Sequence, residues 1–164
     1  MKIKIIIFAM CLFALGTVSV QAQIENKNII AKPPTTIGIK PKVVLNGAVA
    51  YERDGKQYHK IILIVTNRDK FPAKMFELGE GEKLPPNPCR NKVKTRIVMS
   101  VFGEDDKQIA SCLAIASTQA LERPSFLVEK GKTVPKFVYI VLTDLKTGAS
   151  FKSNLVSPFG GATK

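Results

Sequence analysis

The segment that decides the fold is VVLNGAVAYERDGKQYHKIILIVT, residues 43–66. Val43–Tyr51 and Gln57–Thr66 are rich in the β-branched and aromatic side chains that strands favour. Asp54-Gly55 lies between them, and this dipeptide favours a two-residue type I′ turn because both turn residues must adopt positive φ. The segment therefore predicts an antiparallel hairpin.

The rest of the chain repeats this pattern of short strand-like runs separated by turn signals. No segment has the periodicity expected of a helix of three turns. The further predicted strands are 73–78, 93–102, 108–116, 125–129, 136–143 and 150–156. Seven to eight short strands with turns between them predict an all-β fold, an antiparallel β-sandwich.

Two of the runs are apolar without interruption, namely Ile61–Val65 and Phe137–Leu142. Such runs suit central strands that are covered on both faces. One face of each strand in a two-layer sandwich would otherwise meet water, so a loop, the N-terminal arm or a partner chain must cover the second face. Cover by the chain itself is the favoured alternative. A possible apolar contact face is predicted to contain Ile62, Ile64, Phe137, Tyr139 and Val141.

The first 22 residues have the order of a secretory signal peptide. Lys2 and Lys4 precede the apolar run Ile5–Leu15, and Val20-Gln21-Ala22 forms a small-residue cleavage site before Gln23. The run of about eleven residues is short for a membrane span, which needs about 20. A lipoprotein signal acylated at Cys11 fits less well, because a bulky methionine precedes that cysteine. No later stretch is apolar enough to span a membrane.

Cleavage after Ala22 places the mature chain outside the cytoplasm, secreted or periplasmic. It leaves 142 of the 164 residues and lowers the net charge from +12 to +10, since two lysines are removed. The predicted organisation is a signal peptide at 1–22, an extended N-terminal arm at 23–42, a β-sandwich domain at 43–157 and a flexible tail at 158–164.

The cysteines predict one structural disulfide. With Cys11 in the removed segment, Cys89 and Cys112 remain in an oxidising compartment, where pairing is the default expectation. If the hairpin formed by the strands predicted at 93–102 and 108–116 turns near Asp105, Cys112 lies across from about Val98. A disulfide needs Cα atoms within about 7 Å, so the loop that carries Cys89 must fold back over the sheet.

The strand that carries Cys112 offers a place for this loop. Alternation along the strand groups small side chains on one face. These are Ala110, Cys112, Ala114 and Ala116. We expect the proline-rich segment Leu84–Pro88 to pack on them.

Candidate chemistry is sparse. His59 is the only histidine, and a lone strand histidine is more often a surface residue than a catalyst. Glu104-Asp105-Asp106 lacks the alternating ligands of a calcium loop. Glu77, Glu80 and Glu82 flank a glycine-rich loop that does not promise the fixed carboxylate separation of a glycosidase. We therefore predict no catalytic residue, no metal and no cofactor, and an unrecognised hydrolase is the least favoured reading.

The basic charge is dispersed. Lysines occur singly or in loose pairs, without a block of five or six. Solvated strand faces explain this pattern best, and attraction to an anionic partner such as lipopolysaccharide or an acidic glycan is the alternative. Nucleic acid is an unlikely partner, because the basic residues are not interleaved with stacking aromatics.

Several motifs in the C-terminal half carry a resemblance. They are Pro85–Cys89, Ser111–Ala114, Val138–Asp144, Thr147-Gly148 and Ser153–Val156. Over residues 84–157 this series resembles a group of secreted bacterial β-sandwich proteins. The final hairpin also resembles the last two strands of immunoglobulin and fibronectin type III domains, although this chain contains no tryptophan and its cysteines are closely spaced. The resemblance implies an immunoglobulin-like sandwich and an extracytoplasmic location, and it brings no activity or site residues.

These patterns together predict a secreted, non-catalytic binding module of the bacterial envelope or extracellular space. It would recognise a protein or glycan partner, and apolar strand faces with an open sheet edge would support protein contact by strand addition. The alternative is a structural or assembly protein whose basic surface contacts anionic envelope polymers.

Overall fold

A computed structural model describes residues 38–86, 88–89 and 94–160. The predicted signal peptide, its cleavage site, most of the predicted arm and the end of the predicted tail lie outside these residues. Within them there is no α-helix, and no helix is long and apolar enough to cross a membrane. Helical structure in this part of the chain is limited to short 3-10 turns at Arg68–Lys70, Ala73–Met75 and Gln119–Leu121.

Seven strands make up the fold, and every pairing between them is antiparallel. They are β1 Val43–Arg53, β2 Lys56–Val65, β3 Ile97–Gly103, β4 Gln108–Ile115, β5 Ser125–Glu129, β6 Val138–Asp144 and β7 Ser150–Lys152. An isolated bridge between Val138 and Val156 adds an eighth, one-residue pairing. The prediction of an all-β fold with seven to eight antiparallel strands is confirmed.

The strands form two sheets that pack face to face. One has the order β1-β2-β5 and the other the order β4-β3-β6-β7. The inward side chains of both sheets belong to one buried cluster. Its largest members with essentially no exposed surface are Ile61, Leu63, Ile97, Met99, Ile115, Leu121, Ile140 and Leu142. The architecture is therefore a two-layer β-sandwich around a single aliphatic core.

The hairpin of β1 and β2 is formed as the sequence predicts. Asp54 and Gly55 have φ of 53° and 70°, and the flanking residues Arg53 and Lys56 pair directly. Positive φ at both turn residues is the requirement of the type I′ turn. The ladder is irregular only between Leu45 and Gly47, where Asn46 is an extra residue in β1.

The predicted strand at 73–78 is wrong. Ala73–Met75 is a 3-10 turn that begins after Pro72, which has no N–H to donate to a ladder. Phe71 and Phe76 on either side are both buried in the core cluster. A turn lets two rings five residues apart reach the same core, whereas strict strand alternation would point them to opposite faces.

Two asparagine side chains hold the entry into β1. The Oδ1 of Asn154 accepts a 2.7 Å hydrogen bond from the Val43 amide, and its Nδ2 donates to the Val43 carbonyl at 2.9 Å. Asn67 does the same for the preceding residues, accepting from the Lys42 amide at 2.7 Å and donating to the Lys40 carbonyl at 2.9 Å. Since β7 ends at Lys152, Asn154 is available to join the C-terminal segment to the first strand.

A buried ion pair closes one end of the four-stranded sheet. Asp144 accepts hydrogen bonds from Arg96 at Nε (2.8 Å) and Nη2 (2.7 Å), from the Thr147 hydroxyl (2.9 Å) and from the Lys146 amide (2.9 Å). Burial alone would raise the pKa of Asp144, but these hydrogen bonds outweigh it and hold the pKa below its usual value. The carboxylate is therefore a structural anchor that remains ionised.

Candidate functional site

The outer face of the four-stranded sheet is covered within the chain. Val98 and Ser100 of β3 are 1% and 2% exposed, and Tyr139 of β6 is 4% exposed, although all three point away from the core. Phe102 and Val141 on the same side are also buried. The second face of the Phe137–Leu142 run is thus covered by the protein itself, as predicted.

An aromatic cluster forms one part of this cover. The rings of Phe102 and Tyr139 stack with centroids 5.5 Å apart, and Lys152 Nζ lies 3.7 Å from the centre of the Tyr139 ring. The Tyr139 hydroxyl donates a 2.6 Å hydrogen bond to Asp106, and Leu155 packs against the cluster. Burial and the bond to this carboxylate raise the pKa of Tyr139, which therefore remains protonated and acts as a donor.

The disulfide ties the segment before β3 to β4. Cys89 and Cys112 are joined, with their Cα atoms 5.1 Å apart, which confirms the predicted bridge. Seven residues before Cys89, Glu82 pairs with Lys146 beyond the end of β6 at 2.6 Å. The loop is thus attached at two points, to β4 and to the turn after β6.

The register predicted beside the bridge, with Cys112 across from about Val98, is wrong. Val98 pairs with Ala114 rather than with Cys112, because the β3–β4 ladder is irregular between Met99 and Phe102. The irregularity also changes the alternation along β4. Ala110 packs against the core cluster, so it does not share an outward face with Cys112.

The outer face of the three-stranded sheet differs, because apolar side chains remain accessible there. Ile61 and Leu63 of β2 point into the core, so the residues between and beyond them point outward, as do their direct partners on β1 and β5. We call this surface the open face. It comprises Val44, Val49, Tyr51, Tyr58, Lys60, Ile62, Ile64 and Leu127.

The β1 side chains are the most accessible part of the open face. Val49 is 49% exposed, and Val44 and Tyr51 are each 39% exposed. Only two other large hydrophobic side chains are comparably exposed in the described residues. Lys60 Nζ lies 5.7 Å from the centre of the Tyr51 ring, so the apolar patch carries a positive charge within it. Contiguous exposed apolar surface of this kind is typical of interaction sites.

The backbone of β1 is accessible at the same place. β1 is the outermost strand of its sheet, and in the described part of the chain it pairs only with β2. Residues beside a two-residue turn form a hydrogen-bonded pair, and bonded and non-bonded pairs then alternate. Counting back from Arg53, the N–H and C=O groups of Glu52, Ala50 and Ala48 point away from β2. We call these groups the free edge.

The predicted contact residues fall on two different surfaces. Ile62 and Ile64 lie on the open face and are partly buried. Phe137, Tyr139 and Val141 belong to the opposite sheet and are buried within the chain. The five residues therefore do not form one surface.

Sequence reasoning missed the β1 residues Val44, Val49 and Tyr51. The Asp54-Gly55 turn would have found Val49 and Tyr51, since it sets them opposite Lys60 and Tyr58 of β2. It would not have found Val44, because the bulge at Asn46 shifts the register beyond it.

His59 lies on the inner side of the same hairpin, in a shallow pocket of about 370 Å³ that Glu52, Gln57 and Lys130 also line. The ring of Phe159 contacts His59 edge to face at 5.3 Å. Among the described residues, no hydrogen bond joins His59 to a hydroxyl or a carboxylate. The pocket therefore presents no nucleophile and base in contact.

Two carboxylates meet in a wider cleft of about 640 Å³ between the β3–β4 turn and the segment before β6. Glu104 and Asp105 line it together with Lys107. Asp105 pairs with Lys107 at 3.0 Å, and hydrogen bonds from that lysine lower the pKa of Asp105. An ionised, paired carboxylate is a poor proton donor. No group of three metal-ligating side chains occurs in the described ranges.

No protein-family model matches the chain, and comparisons with curated proteins and with solved structures find no match.

The sequence motifs near the C-terminus make contacts that support the fold. The Ser153 hydroxyl accepts a 3.0 Å hydrogen bond from the Ile140 amide, beside the Asn154 contact to β1. These motifs thus serve the structure, whereas the exposed apolar side chains of the open face serve no structural role among the described contacts.

Proposed function

We propose that the protein is a secreted, non-catalytic binding module with an immunoglobulin-like β-sandwich, and that it recognises a protein partner through the open face. The strand order supports the immunoglobulin-like assignment. In the constant-type domain the first, second, fourth and fifth strands share one sheet and the third, sixth and seventh share the other. The division here differs only in the fourth strand, which lies beside β3 instead.

Two features support a location outside the cytoplasm. The N-terminal order of lysines, apolar run and small-residue site is that of a signal peptide. The Cys89–Cys112 bridge is compatible with an oxidising compartment, where structural disulfides persist.

The functional proposal rests on one observation, namely the different burial of the two outer faces. The chain covers the outer face of the four-stranded sheet, yet leaves Val44, Val49 and Tyr51 exposed on the other. An exposed apolar surface suits a protein partner, whereas small ligands such as single sugars favour concave sites. The open face consists of the outward residues of three neighbouring strands.

The test uses the protein isolated after export, immobilised and exposed to envelope extract at low and high salt. We expect a protein to be retained at both salt concentrations. Val49→Ser and Tyr51→Ser should each reduce its recovery at least fivefold. Leu113→Ser is the matched control, because Leu113 is also an exposed aliphatic residue but lies on β4.

Three results would contradict the proposal. One is equal recovery with all variants, and another is the loss of partner with the Leu113 control alone. The third is retention only at low salt and independent of Val49, which would instead support the alternative of a basic surface that contacts anionic envelope polymers.

A further inference from the structure

We propose that the partner contributes an extended acidic segment, which binds by adding a strand to the free edge of β1. This inference rests on the proposed function and specifies how the partner is held. Strand addition draws affinity from main-chain hydrogen bonds and specificity from alternate side chains. Both kinds of contact are offered by β1, the first by the free edge and the second by the open face beside it.

The contact at Val43 shows that this edge accepts a neighbour. The side-chain amide of Asn154 accepts from the Val43 N–H and donates to the Val43 C=O, at 2.7 and 2.9 Å. A residue of an adjacent strand would make the same two bonds. The chain thus supplies a substitute neighbour at the first residue of β1. No described residue does so at Ala48, Ala50 or Glu52.

The composition of β1 is unusual for an exposed edge. Proteins protect edge strands with lysines, prolines, inward charges, short length or bulges. Val43–Tyr51 contains no charged residue and no proline, in a chain of which 23% is charged. The two charged residues of β1, Glu52 and Arg53, lie at its turn end. The bulge at Asn46 lies towards the other end and leaves the ladder regular from Gly47 to Arg53. The edge between the bulge and Glu52 therefore has none of these protections where the open face is most accessible.

The charges around the edge select the chemistry of the segment. On the open face Lys60 lies directly across from Val49 and two residues from Tyr58, and Arg53 and Lys56 continue the same side at the hairpin tip. Arg53 pairs with Asp54 at 3.3 Å and Lys56 with Glu129 at 3.9 Å, whereas the described residues show no ion pair of Lys60. An incoming strand that alternates acidic and apolar side chains would match Lys60 and the exposed valine and tyrosine.

A second copy of this chain fits less well as the occupant. Pairing β1 with the β1 of a second copy would bring two molecules of like charge together, since the full chain carries a net charge of +12. Juxtaposition of like charges at an interface is unfavourable. A segment pairing with residues 48–52 needs to be about five residues long, or about 17 Å.

The test uses two blocked six-residue peptides, one alternating glutamate with valine and the other alternating lysine with valine. Binding to the isolated protein is followed by amide NMR and by hydrogen exchange. We expect the glutamate peptide to slow exchange at Ala48, Ala50 and Glu52 at least tenfold, and the lysine peptide to leave it unchanged. Equal protection by both peptides, or by neither, overturns the proposal.

A matched pair of variants tests the backbone contact. Ala50→Pro removes one outward N–H without removing a bond to β2, a place where edge strands tolerate proline. It should weaken the glutamate peptide at least tenfold, whereas Ala50→Ser should change its affinity less than twofold. The amide spectrum of Ala50→Pro checks that the fold is intact. Unchanged binding by the folded proline variant overturns strand addition.

The same variants separate this inference from the proposed function. If Val49→Ser abolishes capture of the natural partner and Ala50→Pro does not, strand addition fails and recognition by the open face stands. If neither substitution affects capture, the proposed function fails as well.

Discussion

The two outer faces of this sandwich carry similar apolar side chains, but these are buried on one face and exposed on the other. On the four-stranded sheet, Tyr139 is stacked, hydrogen-bonded and 4% exposed. On the three-stranded sheet, Tyr51 is 39% exposed, and Lys60 Nζ lies 5.7 Å from the centre of its ring. Within the described residues, one outer face is buried and the other keeps accessible apolar side chains. On the proposed function, the first face serves stability and the second serves recognition.

The largest expected effect comes from making the same substitution on both faces. Tyr139→Ala removes a buried ring, its bond to Asp106 and its contact with Lys152, and should lower the free energy of unfolding by about 4 kcal/mol. Tyr51→Ala should lower it by about 0.5 kcal/mol, because the ring is largely solvated. Urea unfolding of the two variants measures the difference. Similar losses of stability in both variants would contradict the difference between the two faces.

The disulfide should have the next largest effect, since it ties the loop before β3 to β4. Replacing Cys89 and Cys112 together by serine should cost about 3 kcal/mol, as expected for a cross-link over 23 residues. Limited proteolysis should then cleave the segment between Glu82 and Cys89 faster than in the oxidised protein. Exchange at open-face amides should not change. An intact loop with unchanged stability would show that other contacts hold the loop in place.

The ion pair at the end of the covered sheet predicts a pH dependence. The folded pKa of Asp144 lies below its reference value of 3.8, so its contribution to stability is complete above that pH. The contribution is lost as the pH falls through the folded pKa. At pH 7, Asp144→Asn should cost about 2 kcal/mol, because Arg96 loses a buried partner.

The difference in the free energy of unfolding between wild type and Asp144→Asn should narrow below about pH 4. Unfolding curves from pH 7 to pH 2 measure it. Glu77→Gln, on an exposed residue without a described ion pair, is the control and should follow the wild type at each pH. A gap that stays constant with pH would show that the Asp144 charge does not stabilise the covered sheet.

How far the sequence predicts this molecule depends on whether a feature is local. The β1–β2 hairpin is specified by Asp54-Gly55 and by the alternation around it, so its strands and turn were predictable. The division of the strands between two sheets depends on pairings far apart in sequence. The turn near Asp105 indicates that β3 pairs with β4, but neither periodicity nor turn residues indicate that β5 pairs with β2 or that β6 pairs with β3.

The candidate site shows the same limit. The sequence identified apolar second faces on Ile61–Val65 and Phe137–Leu142, but not which of them the chain covers. That outcome depends on contacts between distant segments, such as the packing of Leu155 and the Tyr139–Asp106 hydrogen bond. The register beside the bridge was also beyond prediction, because a ladder irregularity near Val101 shifts it.

The smallest expected effect concerns the charge on the open face. Lys60→Gln removes a cation from the Tyr51 ring and should change the free energy of unfolding by about 0.5 kcal/mol or less. If the surface recognises an acidic protein segment, this variant should weaken the glutamate peptide about threefold and reduce the salt dependence of its binding. Isothermal titration at two salt concentrations measures both.

Lys83→Gln is the matched control for Lys60→Gln, since Lys83 is an exposed lysine in the loop before the disulfide. It should bind the glutamate peptide as the wild type does. Elution of the two variants from a sulfated-polymer column provides the complementary measurement. If dispersed charge binds the column, both variants should elute at equally shifted salt concentrations. A shift confined to Lys60→Gln would locate polyanion binding on the open face. That last result, with peptide affinity unchanged, would replace an acidic protein segment by an anionic polymer as the ligand of this surface.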